Sequence, residues 1–326
     1  MMLLVTGARG FVGRGLLPRL AATGHGGAAV GREPPRDPPR GWTAATRTQV
    51  LAGTSPAPID AIVHLEVKQH VPQPSPADIE AFETVNVRGT RDWLEWATRH
   101  GVNTFVHLST IKAVVPGAGP TDETAPPETE SPYGSSKARA EAEVRRWASA
   151  ESSRKAVILR PAPVYGPGNE ANLAAFVRQI LRGKPCLIGS GDTRKSIVSR
   201  TNLAAAIEFA LANAAVGCTV YTVSDPDTPT LAELAATIAD LGGARPPRRI
   251  PAAVAAAVAP VGDAVEWLTG RSFPLTSARL HAIRETTVFP CDKLVAAGFA
   301  HPQTTREGLA EMLAWLKTNT MAGDGR

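Results

Sequence analysis

At 326 residues the chain has room for one large domain, or for a main domain with a smaller second lobe. Hydrophobic residues at 43% and charged residues at 20% give the balance of an ordinary soluble globular protein. The formal charge of +5 suits an anionic ligand such as a nucleotide, but the basic residues are scattered and form no stripe, so nucleic acid is not an expected partner.

Leu3-Leu4-Val5 reads as a compact strand, followed by a glycine turn at Gly7 to Gly13 and a helix to about Thr23. Gly27 to Val30 reads as a second strand, and the stretch Arg32 to Trp42, rich in Pro and Arg, as a surface loop. Ala61 to Leu65 is a buried strand, and a long helix is predicted over Pro76 to His100, with Phe82, Val85, Trp93 and Trp96 available to its apolar face. Thr104 to Leu108, Pro132 to about Ser149 and Ala156 to Leu159 continue as strand, helix and strand. Each parallel step needs a crossover, so this alternation predicts an α/β fold with a Rossmann-type doubly wound parallel sheet.

After Tyr165 to Gly168 the rhythm changes to helices at Asn172 to Arg182, Asn202 to Asn213, Leu231 to Leu241 and Thr305 to Lys317. The expected organisation is a dinucleotide-binding domain over 1–168 and a smaller C-terminal, mainly substrate-binding lobe over 169–318. Part of that lobe returns to the Rossmann half, and a flexible tail covers 319–326. The apolar run Pro251 to Val261 is too short to span a bilayer and rich in alanine; a buried helix, and no membrane partner, is the expectation. Met1 to Thr6 is too short an apolar run for a signal peptide. Cys186, Cys218 and Cys291 lie far apart, and the seven histidines show no HExxH spacing. Neither a disulfide framework nor a metal site is expected, and a cytoplasmic location is.

The turn Gly7-Ala8-Arg9-Gly10-Phe11-Val12-Gly13 joins strand to helix as GxxGxxG. Gly7 permits the tight turn, Gly10 the approach of a pyrophosphate, and Gly13 close packing of helix on strand. Phe11, Val12 and Gly13 stand at a helix N-terminus, where free N–H groups and a partial positive charge meet phosphates. An acidic residue ending strand two would favour NAD; Gly31-Arg32 stand there instead, and Arg32 suits the 2′-phosphate of NADP. Glu33 keeps NAD open.

Tyr133 and Lys137 sit at i and i+4 on one helix face. An ammonium beside a phenol lowers a pKa that is ordinarily ~10. Tyr133 can then exchange a proton with a substrate hydroxyl or carbonyl. The strand Val106-His107-Leu108 ends in Ser109-Thr110, whose hydroxyls can place the substrate oxygen. His64 and His107 on buried strands read as core histidines.

These pieces together resemble the extended short-chain dehydrogenase/reductase family of nucleotide-sugar epimerases, dehydratases and ketoreductases. The matching segments are TGARGFVG, DAIVHL, NVRGT, HLST, YGSSK and RPAPVYGPG. The resemblance implies a catalytic triad of Thr110, Tyr133 and Lys137. It places Leu65, Asn86 and Pro163 beside the cofactor, and Asn172, Leu173 and Arg194 on a nucleotide-sugar, with Thr110 also touching that substrate. It further implies a homodimer through Rossmann helices. Ile111-Lys112 replace the Asp-Glu pair of the family's dehydratases, which disfavours dehydration.

Other positions depart from the family pattern. Pro163 stands where an asparagine often contacts the substrate, Glu66 where a small Ala usually follows His-Leu, Thr201 for the usual Asp, and Ser199 for an aromatic or His. Thr201 is expected to cap the next helix. The expected function is a 4-epimerase or 4-dehydrogenase/ketoreductase of a nucleotide-diphosphate sugar. The alternatives are a reductase of a non-sugar ketone or aldehyde, and a non-catalytic NAD(P)-binding redox sensor.

Overall fold

Leu3, Leu4 and Val5 expose no surface, and the strand they form lies inside a sheet covered on both faces. The computed structural model describes residues 1–53, 58–169, 172–270, 273 and 275–323. The chain begins β1 (Met2–Thr6), α1 (Phe11–Ala22), β2 (Gly26–Gly31), β3 (Trp42–Thr46), α2 (Arg47–Leu51), β4 (Ala61–His64) and α3 (Pro76–Ala81). A π-helical stretch, Phe82–Arg88, leads into α4 (Gly89–Arg99), β5 (Thr104–Leu108), α5 (Pro132–Ser149) and β6 (Lys155–Pro161). Next come β7 (Val164–Tyr165), α6 (Asn172–Leu181), β8 (Pro185–Ile188), β9 (Val198–Ser199), α7 (Arg200–Ala212) and β10 (Gly217–Val223). The remaining elements are α8 (Leu231–Gly242), β11 (Arg248–Ile250), α9 (Ala252–Thr269), α10 (Ser277–Arg284), α11 (Asp292–Ala296) and α12 (Thr305–Gly323).

Two compact units result. The first comprises Met1–Val164, Val198–Asp225 and Phe289–Gln303; the second comprises Tyr165–Ile197, Pro226–Val288 and the residues from Thr304 onward. In the first, a seven-stranded sheet runs in the order β10-β6-β5-β4-β1-β2-β3, every neighbour parallel. Successive side chains of a strand point to opposite faces, and the core divides accordingly. Leu3, Val5, Val63 and Val106 pack on Leu16 and Leu20 of α1 and on Leu203 and Ile207 of α7. Leu4, Ile62, Phe105 and Ile158 pack on Trp93 and Trp96 of α4 and Trp147 of α5. This is the doubly wound parallel fold.

The second unit is built on α6, α8 and α12, whose Val177, Ile180, Leu234, Ile238, Leu309 and Leu313 share one core. β8 and β11 pair in parallel beside it. The expectation of a buried helix after Pro251 is overturned. α9 is longer than the apolar run and buries only Ala255, Ala259 and Gly262, because one thin strip of small residues suffices to seat it on Leu275 and Leu280. β3 lies just past a segment read as loop and takes the sheet edge beside β2. α12 continues past Lys317 to Gly323, since nothing in 318–322 breaks a helix.

α5 is held by one buried ion pair. Arg160 of β6 donates to both carboxylate oxygens of Glu141, from Nε at 2.9 Å and from Nη2 at 2.7 Å. Ser109 Oγ donates to the same carboxylate at 2.6 Å, and Arg160 Nη1 donates to the Glu123 carbonyl at 3.1 Å. Removing one partner of such a pair leaves the other charge buried and unpaired. Glu141→Ala is therefore expected to cost ~3–5 kcal/mol of stability in urea unfolding, and Arg160→Ala to cost about as much.

Candidate active site

The glycine turn is shaped by close contacts. Gly7 has φ +64°, and a Cβ there would meet the Leu65 carbonyl carbon at 2.7 Å. A Cβ on Gly13 would meet the Gly7 and Ala8 carbonyl oxygens at 2.7 Å, so α1 begins hard against the turn. Gly10 occupies the N-cap position and supplies no side-chain acceptor, and no acidic residue stands in the first turn, where Phe11, Val12 and Gly13 lie. That N-terminus offers its N–H groups and dipole to an anion. The tight turn, the glycine cradle and the uncapped helix fit a dinucleotide pyrophosphate.

Thr6 closes the turn from below. Its hydroxyl accepts from Leu65 N at 3.1 Å and Glu66 N at 3.2 Å. With both acceptances used, its own hydrogen goes to His64 Nδ1, 2.8 Å away. His64 Nε2 then donates to Thr90 Oγ1 at 3.1 Å, and Thr90 donates to the Asn86 carbonyl at 2.7 Å. Burial keeps His64 neutral, well below the ordinary imidazole range, as a core histidine with both nitrogens paired. Leu65 is buried at the strand end.

Beyond β2, Glu33 forms an ion pair with Arg9 of the glycine turn, and that guanidinium holds its carboxyl below the usual range. Arg32 is exposed beside it. Arg9 was not singled out in the sequence; its place within the turn brings a second guanidinium to the end of β2.

Ser131 caps α5, accepting from Gly134 N at 3.1 Å, with Pro132 in the first turn. A Cβ on Gly134 would lie 2.4 Å from the Lys112 carbonyl oxygen, so the glycine of YGSSK lets the helix start close to the segment after β5. This brings the Tyr133 phenol beside the Thr110 hydroxyl, and its ring lies edge-on to Phe82 at 5.8 Å and to His70 at 5.6 Å. Of the two hydroxyls ending β5, Ser109 is buried on Glu141, while half-buried Thr110 faces Tyr133.

Lys137 is fully buried, its Nζ donating to the Leu108 carbonyl at 2.9 Å and meeting His107 Nε2 at 3.3 Å. Burial brings the ammonium down to about 8, with Glu141 one turn on pulling it back up. The lowered Tyr133 phenol expected from a neighbouring Lys is not what the structure gives. Burial pushes it up to about 12, against the opposing pull of the Thr110 hydroxyl, and the ammonium is engaged with Leu108 and His107.

Asn86 lies in the π-helical stretch, fully buried. Its Oδ1 accepts from Lys68 N at 2.8 Å, and its Nδ2 donates to Ser136 Oγ at 2.9 Å. It thus ties the loop after β4 to the catalytic helix. Glu66 turns away from the glycine turn, accepting from Trp93 Nε1 at 3.0 Å and pairing with Arg47 at 3.4 Å. Pro163 is exposed, its carbonyl accepting from Val198 N at 3.1 Å. The cap of α7 is Ser199, whose hydroxyl accepts from Asn202 N at 3.0 Å, and not Thr201, because the helix already starts at Arg200. Asp225 supplies the carboxylate there, accepting from Ser199 N at 2.9 Å and Asn202 Nδ2 at 2.7 Å.

The remaining expected contacts belong to the second unit. Leu173 packs against its core, and exposed Arg194 donates to the Thr228 carbonyl at 2.7 Å. Asn172 opens α6; its side chain lies outside the described residues. The residues that sequence reasoning passed over are Glu141, Arg160, Arg9 and His70. Glu141 alone left a signal, as the next step of the Tyr133, Lys137 spacing.

Residues 3–223 match the NAD dependent epimerase/dehydratase family, and the chain belongs to that family. It is an enzyme of the extended short-chain dehydrogenase/reductase type. A relative from Escherichia coli O157:H7, N-acetyl-alpha-D-glucosaminyl-diphospho-ditrans,octacis-undecaprenol 4-epimerase, is 28% identical and covers 96% of this chain and 94% of its own length. A Streptomyces relative, 3-diazoavenalumate denitrifying reductase, is 31% identical over 78% of this chain and 86% of its own. The solved complex of MoeE5 with UDP-glucose and NAD shares the fold, with a TM-score of 0.72 at 24% identity, covering 98% of this chain and 100% of that one.

The depressed Lys137 has a consequence for stability. Between its folded value of about 8 and the ordinary lysine value of 10.5, the unfolded chain holds a proton that the folded protein has released. The Lys137 contribution to stability therefore rises with pH through that window. Above about pH 10 the raised Tyr133 acts in the opposite sense, and the shifted Cys218, Cys291, Lys112 and Lys195 add their own pH dependence, so over pH 8 to 10 the Lys137 part is the difference between the native chain and Lys137→Met. Urea unfolding across that range should show a slope of on the order of 1 kcal/mol per pH unit that Lys137→Met removes.

Proposed function

We propose that this enzyme interconverts a carbinol and a ketone on a nucleotide-diphosphate sugar, as a 4-epimerase or 4-dehydrogenase/ketoreductase, with Tyr133 as acid/base. The observation that carries the reading is the placement of the Tyr133 phenol beside the Thr110 hydroxyl at the end of β5, on the helix that also carries Lys137. Thr110 Oγ1 orients the substrate oxygen, and Tyr133 Oη gives it a proton or takes one from it. The phenol is protonated at neutral pH, which readies it as the acid for a developing alkoxide. Lys137, one turn along the same face, keeps its Nζ on the Leu108 carbonyl and stands where the nicotinamide ribose would be met. Gly7, Gly10, Phe11, Val12 and Gly13 hold the cofactor's pyrophosphate, and Leu65 and Asn86 shape the floor beside it. A bound nicotinamide supplies or accepts the hydride. The family match and the sugar-diphosphate epimerase from E. coli O157:H7 support the sugar class.

A second reading concerns what carries the diphosphate. The E. coli O157:H7 relative, aligned over 96% of this chain, acts on a sugar joined to undecaprenol through a diphosphate, and the apolar outer side of α9 favours a lipid-borne substrate here too. Purified protein assayed with UDP-N-acetylglucosamine and with the polyprenyl-linked sugar separates the two.

Tyr133→Phe is expected to lower turnover at least a hundredfold while cofactor binding, followed by fluorescence, stays unchanged; unimpaired turnover would refute the assignment. Tightly retained cofactor without net redox marks an epimerase, and stoichiometric consumption of NADPH a reductase. We further propose that NADP is preferred, because Arg9 already neutralises Glu33 and leaves Arg32 for a 2′-phosphate. Arg32→Ala should weaken NADPH binding about tenfold or more, some 1.4 kcal/mol, with NADH binding unaffected, as measured by titration calorimetry.

A further inference from the structure

α9 carries an apolar surface that none of the described residues of its own unit covers. Val254, Val258, Val261 and Leu268 fall on one stripe of the helix, with Leu268 71% exposed. Trp267 in the last turn is 83% exposed, and Ala257, Pro260 and Ala264 widen the outer side. The helix has two charged residues, and both are engaged toward α10. Asp263 bonds Ser277, with the Ser277 N–H donating at 3.0 Å, and Glu266 pairs with Arg279 at 3.0 Å. No free carboxylate faces outward.

The border of this surface is basic. Arg248 and Arg249 on β11 immediately precede the helix, Arg245 lies just before them, and Arg284 of α10 lines a hollow with Ala256 and Ala259 of α9. All four arginines are exposed, and none has a carboxylate partner among the described residues. An apolar helix face with a terminal Trp and a cationic border has the composition of a helix that lies in a lipid headgroup layer.

We propose that α9 docks the protein peripherally onto an anionic phospholipid bilayer. Its valines, Leu268 and Trp267 enter the acyl boundary, and the arginines pair with lipid phosphates. The helix is long and apolar enough to cross a membrane, yet it lies on the surface instead. Crossing would strip Gly262 from the Leu275 backbone and carry Asp263 and Glu266 into hydrocarbon. This reverses the absence of a membrane partner expected from the sequence. The docking stands whichever sugar diphosphate is used, and a lipid-borne substrate would be met at that surface.

The test uses the full chain without substrate, so its outcome is independent of the redox assignment. The protein should co-sediment with mixed phosphatidylcholine/phosphatidylglycerol vesicles and much less with phosphatidylcholine alone, and added salt should weaken binding. Tryptophan emission should shift to the blue on binding, a shift that Trp267→Phe largely removes because Trp42, Trp93, Trp96 and Trp147 are already buried and Trp315 packs, partly buried, against the core of its unit. Arg248→Glu with Arg249→Glu should reduce the partition coefficient about tenfold or more. Val258→Asp with Val261→Asp should abolish binding without altering the circular dichroism or the thermal midpoint, since both side chains are exposed. Failure to bind either vesicle, equal binding to both, or variants that bind like the native chain would overturn the proposal. So would a concentration-dependent dimer that Val261→Asp breaks in a protein that ignores vesicles, since it would assign the face to a second copy.

Discussion

The catalytic helix depends on one buried carboxylate. Glu141 stands two turns beyond Tyr133 and one beyond Lys137, on the same face of α5, where Arg160 grips both its oxygens and Ser109 donates to one of them. The two elements so joined, β6 and the end of β5, are sheet neighbours in fixed register, so the helix is tied to a rigid frame. Arg160 also reaches the Glu123 carbonyl, and Glu123 accepts from Thr222 N of β10 at 2.6 Å, which extends the network to the next strand. A buried ion pair has little net value for stability compared with a well-packed apolar replacement. Its value here is positional, because an acid/base group loses efficiency when its geometry drifts. The same carboxylate opposes the desolvation of Lys137 and so helps to keep that lysine charged.

A second set of polar groups performs the matching task on the cofactor side. Thr6, His64, Thr90 and Asn86 form a chain of hydrogen bonds from the glycine turn to the π-helical stretch. Asn86 then reaches Ser136 on α5. A wider turn of helix there lets Asn86 meet the Lys68 backbone and Ser136 together, in keeping with the frequent use of π-helical turns at functional sites. The glycine turn and the helix that carries Tyr133 are thereby parts of one hydrogen-bonded body.

Much of this was legible in the sequence because it is local. Apolar runs such as Leu3 to Val5 and Ala61 to Leu65 become strands since their side chains fill both faces of a parallel sheet. The glycines of the turn announce a backbone that no side chain permits. What stayed hidden depends on partners far along the chain. β3 has little periodicity of its own, and Trp42 marks an edge strand only because β2 lies beside it. Glu141 resembles any solvent-facing helix residue until Arg160 is brought to it. α9 shows the reverse limit, since an alanine-rich apolar run reads the same whether its outer side meets protein or is left bare. The expected effect of Lys137 on Tyr133 failed for a related reason. Spacing places two groups on one face, but it does not say which third group the ammonium will choose.

The departures from a sugar-epimerase pattern now divide into those that touch chemistry and those that do not. Glu66 is committed to Trp93 and Arg47, on the far side of the strand end from the phosphate turn, so it serves to join β4 to α2 and α4. Ser199 and Thr201 reflect a moved capping site. The carboxylate that usually precedes this helix is replaced by Asp225 from the end of β10, which bonds Ser199 and Asn202 instead. Asn202 completes the arrangement by donating to the Gln303 carbonyl at 2.9 Å. Hydrogen bonding has been redistributed in these places, and the Thr110, Tyr133 and Lys137 side chains are not among the residues changed. Pro163 is different in kind. It is exposed and has no N–H or side-chain amide to offer a substrate, so any polar recognition an asparagine would supply there must come from another residue.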